Sequence, residues 1–181
     1  EKKMPFVETG CQKLLKKSNA KFINNFKEFN PKKVKYIFIT VGTPLRESIE
    51  VNLNNINLVI NELSKILIKG HTIILRSTIG PETTYYVKKK LEKLTNFKVG
   101  KDIFLSFCPE RLAENKALKE LGQLPQIIGV EDNKTFLLVE KIFKRFKIKI
   151  FKTSFLSAEL VKLFNNNYRY IEFAIANQFS I

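Results

Sequence analysis

Apolar positions along this chain repeat with two periods. Short β-branched runs, each stopped by Gly, Pro or small polar residues, read as strands. Longer stretches with apolar residues three and four apart read as helices. The run 35–44 (KYIFITVGTP) predicts a buried strand ending in a loop at Gly-Thr-Pro. In 53–67, Leu53, Ile56, Ile60, Leu63 and Leu67 share one face, which predicts an amphipathic helix ended by Gly70. The same reading gives a strand at 71–81, a helix at 83–94, a strand at 102–110 and a short helix at 117–121. A strand at 126–130, a helix at 134–146 and a short strand at 148–152 follow. A long helix from Ser157 closes the chain, and a helix around Cys11 to Lys17 lies in the polar first thirty residues. No repeat and no low-complexity linker interrupts this order.

Strands alternating with helices predict an α/β fold with a parallel sheet of βαβ units. Ligands of such sheets sit at the carboxyl ends of the strands. Three strands end there in small or polar residues: Val41-Gly42-Thr43-Pro44, Ser77-Thr78-Ile79-Gly80 and Cys108-Pro109-Glu110-Arg111. All three loops are expected on one edge. The last helix is unusual, because Asn165, Asn166 and Asn167 sit inside its apolar pattern and asparagine is a mediocre helix former. Lys162 and Asn166 are four apart and share a face. A lysine and a carboxamide suit an oxygen that gains negative charge during a reaction. From spacing alone a solvated polar face is the favoured account of them.

Composition narrows the class. The 181 residues, 44% of them hydrophobic, suffice for one domain with a real core. No apolar run is long enough for a membrane span and the opening residues lack a signal-peptide core, so a soluble, cytoplasmic protein without membrane partners is expected. Two cysteines, Cys11 and Cys108, make neither a disulfide framework nor a metal-binding spacing. Cys108 reads as a buried strand-end residue, and His71, the single histidine, as structural or solvated. The net charge of +15 admits nucleic acid, an anionic membrane surface or phosphate-bearing ligands. The lysines are scattered, which fits a solvated surface, and 16 Phe with no Trp fit core packing rather than base stacking. A nucleic-acid-binding module is therefore the distant alternative.

Four collinear motifs sharpen the reading. They are VGTP at 41–44, STIGPETT at 77–84, CPERLAENKAL at 108–118 with LPQIIG at 124–129, and AELVKLFNNNYRYIEFAIANQ at 158–178. PFVETG at 5–10 adds a fifth, shorter match. In order and spacing the chain resembles the UDP-glucose/GDP-mannose dehydrogenase family, the nucleotide-sugar 6-dehydrogenases, and within it the UDP-N-acetylmannosamine branch. The resemblance implies oxidation of a sugar C6 hydroxyl to a carboxylate with two NAD, through a cysteine-bound intermediate. It implies that Lys162 and Asn166 donate to the developing oxyanion, and that Glu110 acts with Thr78 on a water. It places substrate on Glu110, Arg111, Leu112, Glu114, Lys162, Asn166 and Arg169. It places NAD on Val41, Gly42, Thr43, Pro44, Ser77, Thr78 and Glu114. UDP-N-acetylmannosamine leads the implied substrates, ahead of UDP-N-acetylglucosamine, UDP-glucose and GDP-mannose. No metal is implied, and a homodimer is implied for the complete protein.

The departures also carry expectations. The family's G-x-G-x-x-G turn, which cradles pyrophosphate at a helix N-terminus, has no counterpart among the seven dispersed glycines. Neither cysteine occupies the position of the family's nucleophile. The expected architecture is an incomplete Rossmann-like parallel sheet, a partial NAD-binding domain over 1–153, followed by a long central helix that starts a dimerisation domain at 154–181. The chain reads as an internal fragment or one half of a split gene, inactive alone. A degenerate fragment that persists as an interaction partner is the other alternative.

Overall fold

The computed structural model describes residues 3–4, 7–43, 52–113 and 115–180. Helix α1 (Cys11–Lys17) precedes strand β1 (Tyr36–Ile39), helix α2 (Asn54–Ser64), strand β2 (Thr72–Leu75) and helix α3 (Thr83–Thr95). Then come β3 (Phe104–Phe107), the one-turn α4 (Ala117–Glu120), β4 (Gln126–Gly129), α5 (Asn133–Phe143), β5 (Ile150–Thr153) and α6 (Phe155–Phe179). Helix starts follow local chemistry. Asp132 caps α5 by accepting the Thr135 amide at 2.7 Å, and Ser154 caps α6 by accepting the Ser157 amide at 3.1 Å.

Among the described residues the five strands form one sheet in the order β1-β2-β3-β4-β5. Each of the pairs β1–β2, β2–β3 and β4–β5 is parallel and in register over four residues. The β3–β4 junction departs from the parallel expectation: it is antiparallel and touches only at Phe107 and Gly129. Its cause is the connection, which holds the four-residue α4 and no crossover helix able to carry the chain back along the sheet. The result is an α/β fold with a mostly parallel sheet and a long last helix.

Successive residues of a strand face opposite sides, so each strand feeds two cores. Ile73, Leu75, Leu105 and Phe107 pack with Ile56, Ile60 and Leu63 of α2, Val87 and Leu91 of α3, and Phe155 and Ala158 of α6. Ile74, Cys108 and Ile128 pack on the other face with Val139 and Phe143 of α5. Covered on both faces, β2 and β3 are buried throughout. Strand β1 was expected to be buried and is so only at Ile39, because it lies at the sheet's edge, where Phe38 is 44% exposed. The expected long helix starts two residues early, at Phe155, whose buried ring meets Tyr85 edge-on at 5.3 Å.

Candidate functional site

Strands β1, β2 and β3 run parallel, so their carboxyl-end loops share one edge of the sheet. An open cleft of about 560 Å³ lies there, lined by Thr40, Val41, Gly42, Thr43, Arg76, Ser77, Thr78, Glu110 and Lys162. The three loops expected on one edge do converge, and α6 delivers Lys162 to them. Pro44 and Glu114, both expected in the site, lie outside the described residues.

The loop hydroxyls act mainly on the backbone. The Ser77 hydroxyl donates to the Val41 carbonyl at 2.6 Å, and the Thr43 hydroxyl donates to the Thr78 carbonyl. From α2, the Asn55 amide donates to the Gly42 carbonyl at 2.8 Å. These bonds lash the β1 loop to the β2 loop and leave the Thr78 hydroxyl, among the described residues, without a partner. Ser77 and Thr43 therefore shape the cleft with their side chains rather than offering free hydroxyls to it.

Lys162 is half-buried, and its ammonium donates to the main-chain carbonyl of Glu110. Burial holds its pKa below the usual lysine value. The Glu110 charge opposes that shift, while Arg169, Arg111 and Arg76 add to it. The Glu110 carboxylate folds back to accept the Leu112 amide, which fixes the first turn of its own loop. The Arg111 guanidinium donates to the Pro125 carbonyl and, with Leu112, lines a separate 20 Å³ cavity, room for about one water. Asn166 and Arg169 are exposed on α6 beyond the cleft wall, and Arg169 reaches Lys162 only through its charge. The structure thus gathers Val41, Gly42, Thr43, Ser77, Thr78, Glu110 and Lys162. It leaves Arg111, Leu112, Asn166 and Arg169 beside the cleft.

Three residues of consequence were absent from the sequence reading. Arg76, at the end of β2, lines the cleft. It donates to the Gln126 side chain at 3.2 Å and lies 5.5 Å from the centre of the Phe143 ring. Burial lowers its pKa, and the Glu110 charge opposes that shift. A cation closing the apolar run HTIILR was the signal available for it. Glu8 accepts the amides of Asn115 at 2.8 Å and Ala117 at 3.1 Å, pinning the far end of the Glu110 loop. Glu159 is fully buried in α6 and caps α3 from a distance.

The two residues read as structural behave so. Cys108 is fully buried, and burial pushes its thiol up to about 12, too high for a nucleophile at neutral pH. His71 is buried between the Pro31 carbonyl at 2.9 Å and the Ile68 amide at 3.3 Å, which places the proton on Nε2. No group of three or more His, Cys, Asp or Glu among the described residues could hold a metal ion. No helix among them is long and apolar enough to cross a membrane.

Residues 1–147 match the model of the UDP-glucose/GDP-mannose dehydrogenase family, NAD binding domain. The UDP-N-acetyl-D-mannosamine dehydrogenase of Pyrococcus horikoshii is 35% identical over 144 residues, 79% of this chain and 34% of that protein. Its counterpart in Methanocaldococcus jannaschii is 36% identical over 154 residues, 83% of this chain and 35% of that protein. A GDP-mannose dehydrogenase from Pseudomonas aeruginosa, solved as a ternary complex, superposes with a TM-score of 0.90 at 28% identity. That superposition covers 97% of this chain and 42% of the solved one. The chain spans about a third of the length of the curated relatives it matches.

Proposed function

The chain belongs to the UDP-glucose/GDP-mannose dehydrogenase family, with residues 1–147 corresponding to its NAD-binding domain, and from that premise we propose that it serves the NAD-dependent oxidation of a nucleotide-linked sugar at C6. The observation that carries the reading is the meeting of Thr78, Glu110 and Lys162 on one cleft at the strand ends. Such edges of α/β sheets are where nucleotides sit. Arg76, Arg111 and Arg169 act by their charge on Lys162 with only Glu110 opposing them among the described residues, a positive surplus that suits the phosphates of a dinucleotide or a nucleotide sugar. The residues present therefore fit NAD as one wall of its site. NAD, when bound, takes up hydride from the sugar carbon.

This chain's own residues would hold charge and protons. Lys162, positioned by the Glu110 carbonyl, donates to an oxygen that becomes negative. Thr78 offers its free hydroxyl, and Glu110 positions a water or accepts its proton. Asn166, one turn beyond Lys162, reaches the same ligand once substrate extends along α6. Arg111, Leu112, Glu114 and Arg169 are assigned to the substrate side of the cleft. Glu114 and Pro44 also belong to the NAD contacts, with the Val41–Thr43 and Ser77–Thr78 backbone. UDP-N-acetylmannosamine is the preferred substrate, on the strength of the two relatives at 35% and 36% identity.

The activity is proposed for a protein of the relatives' full length. Residues 154–181 would begin its central helical domain, where Phe164, Tyr168, Ile171 and Ile175, all exposed on α6, would meet a second copy. A panel of UDP-N-acetylmannosamine, UDP-N-acetylglucosamine, UDP-glucose and GDP-mannose, followed by NADH absorbance with the complete protein, tests the assignment. Turnover of none of them refutes it. Residues 1–181 alone are expected to give no turnover, and measurable oxidation by them would refute the need for further elements.

A further inference from the structure

Glu159 is the one acidic residue among the described residues with no exposed surface. Its carboxylate accepts three hydrogen bonds, all from the start of α3: the Glu82 amide at 2.7 Å, the Thr84 amide at 2.8 Å and the Thr84 hydroxyl at 2.5 Å. A buried carboxylate without donors would be strongly unfavourable, and these donors together with the α3 dipole offset that burial. Helix α3 has no cap of its own. Glu82 stands at the cap position with a left-handed φ of 63° and makes no side-chain cap bond, so the capping oxygen comes from α6. The segment it holds is the end of the Thr78 loop, since Thr78 is followed by Ile79, Gly80, Pro81 and then Glu82.

Glu159 and Lys162 are three residues apart on α6, hence neighbours on its surface. One turn holds α3 and the next reaches the Glu110 loop. The same end of α6 also lies tightly on the sheet, because a Cβ on Gly129 would come within 2.7 Å of Ala158. The height and roll of α6 are thus set by a backbone contact at Gly129 and a charged tether at Glu159.

We infer that Glu159 is a positioning residue: its buried carboxylate ties the Thr78 loop to α6 and so fixes where the Lys162 amine stands at the cleft. The inference rests on the reading of that cleft as the site. Glu159→Gln keeps the shape but turns an NH₂ toward the amide donors, leaving some of them unpaired and loosening the tether. Asp132→Ala removes an ordinary cap at α5, away from the cleft, and serves as the control for general destabilisation.

The test is competitive acetylation of residues 1–181 across pH, with Lys162 read by peptide mass spectrometry against a free lysine-amide standard. Circular dichroism confirms that each variant is folded. The charged groups acting on Lys162 are Glu110, Arg169, Arg111 and Arg76, all retained in the variant, and loss of the Glu159 charge would by itself raise the uncharged fraction of Lys162, so a fall reports the amine's displacement toward water. In Glu159→Gln the Lys162 amine is expected to become better hydrated, so its uncharged fraction at fixed pH falls by about threefold or more. Asp132→Ala is expected to leave it unchanged. A folded Glu159→Gln with an unchanged Lys162 profile overturns the inference, as does an equal change in Asp132→Ala. Should Glu159→Gln not fold, Thr84→Val removes one of the three bonds, and an unchanged Lys162 profile in that variant overturns the inference as well. The acetylation reads neither NAD nor turnover. An inactive complete enzyme with a responsive Lys162 would sink the proposed function and leave the tether standing.

Discussion

Replacing Gly129 by alanine tests how closely α6 is seated on the sheet. A Cβ there would stand 2.7 Å from the Ala158 Cβ, 2.9 Å from the Ser154 carbonyl oxygen and 3.2 Å from the Phe107 carbonyl oxygen. None of these is the free end of a flexible side chain. The Ser154 oxygen accepts the Ala158 amide in the first turn of α6, and Phe107 is the residue paired with Gly129 across the β3–β4 junction. Relief therefore requires α6 to lift or the two strands to part. Overpacking of this kind costs about 1–3 kcal/mol, and the backbone partners argue for the upper half of that range. At about 2–4 °C per kcal/mol for a chain of this size, the melting temperature should fall by roughly 4–12 °C. Gly122→Ala is the control, because no atom lies within 4 Å of its Cβ position and its φ is not positive. Thermal and urea unfolding followed by circular dichroism would read both. A Gly129→Ala melt within a degree of the parent, or an equal fall in Gly122→Ala, would refute the close seating and the positioning drawn from it.

Lys162→Ala in the complete protein should lower turnover by about 10²–10³-fold, the loss expected for one oxyanion donor, with circular dichroism unchanged; unaltered turnover removes Lys162 from the chemistry. Phe155→Ala, which empties a fully buried site at the start of α6, should destabilise the chain by about 3–5 kcal/mol in urea unfolding, and a loss under 1 kcal/mol would contradict its place in the core. Cys108 should resist iodoacetamide in the folded chain at pH 8, whereas the half-exposed Cys11 reacts, and equal labelling would contradict the burial. The folded Cys108 value of about 12 lies above the ordinary 9.0, so its contribution to stability is full below about pH 9 and is lost as pH rises toward 12. Cys108→Ala should accordingly reduce the alkaline fall in melting temperature between pH 8 and 11, and an identical fall would sink that account.

Much of the architecture was legible because its determinants are local. The periodicity of Ile56, Ile60 and Leu63, and the β-branched runs before Gly-Thr-Pro and Ser-Thr, depend on neighbours within a few residues, and these elements formed in the expected places, although α2 already ends at Ser64 and the two strands at Ile39 and Leu75. The direction of β4 was not legible, since it depends on what the preceding connection lacks rather than on the strand itself. The half-exposure of Phe38 follows from β1 standing at the sheet edge, which strand periodicity does not encode. The convergence of Thr78, Glu110 and Lys162 could be anticipated from the rule that parallel strands end on one edge. Glu159 could not, because its partners Glu82 and Thr84 lie more than seventy residues away and its neighbourhood in AELVK looks like any helix surface. Arg76 was hidden for a related reason: its place in the cleft depends on Gln126 and Phe143, supplied by two later elements.

The chain's +15 charge turns out to matter less than the placing of a few cations. Arg76, Arg111, Lys162 and Arg169 come from three separate segments and act together at one edge of the sheet, with Glu110 as the carboxylate that opposes their effect on Lys162. In that setting the Lys162 ammonium is disfavoured by burial and by three like charges, and its pKa lies below the ordinary lysine value. A phosphate or a developing alkoxide entering the cleft reverses the sign of the local field, so the charged amine becomes favourable when an anion arrives. The features that disfavour the ammonium in the empty cleft are therefore the ones that an anionic ligand relieves. Binding such a ligand and charging Lys162 are thermodynamically linked, and the buried Glu159 tether keeps the amine where that linkage operates.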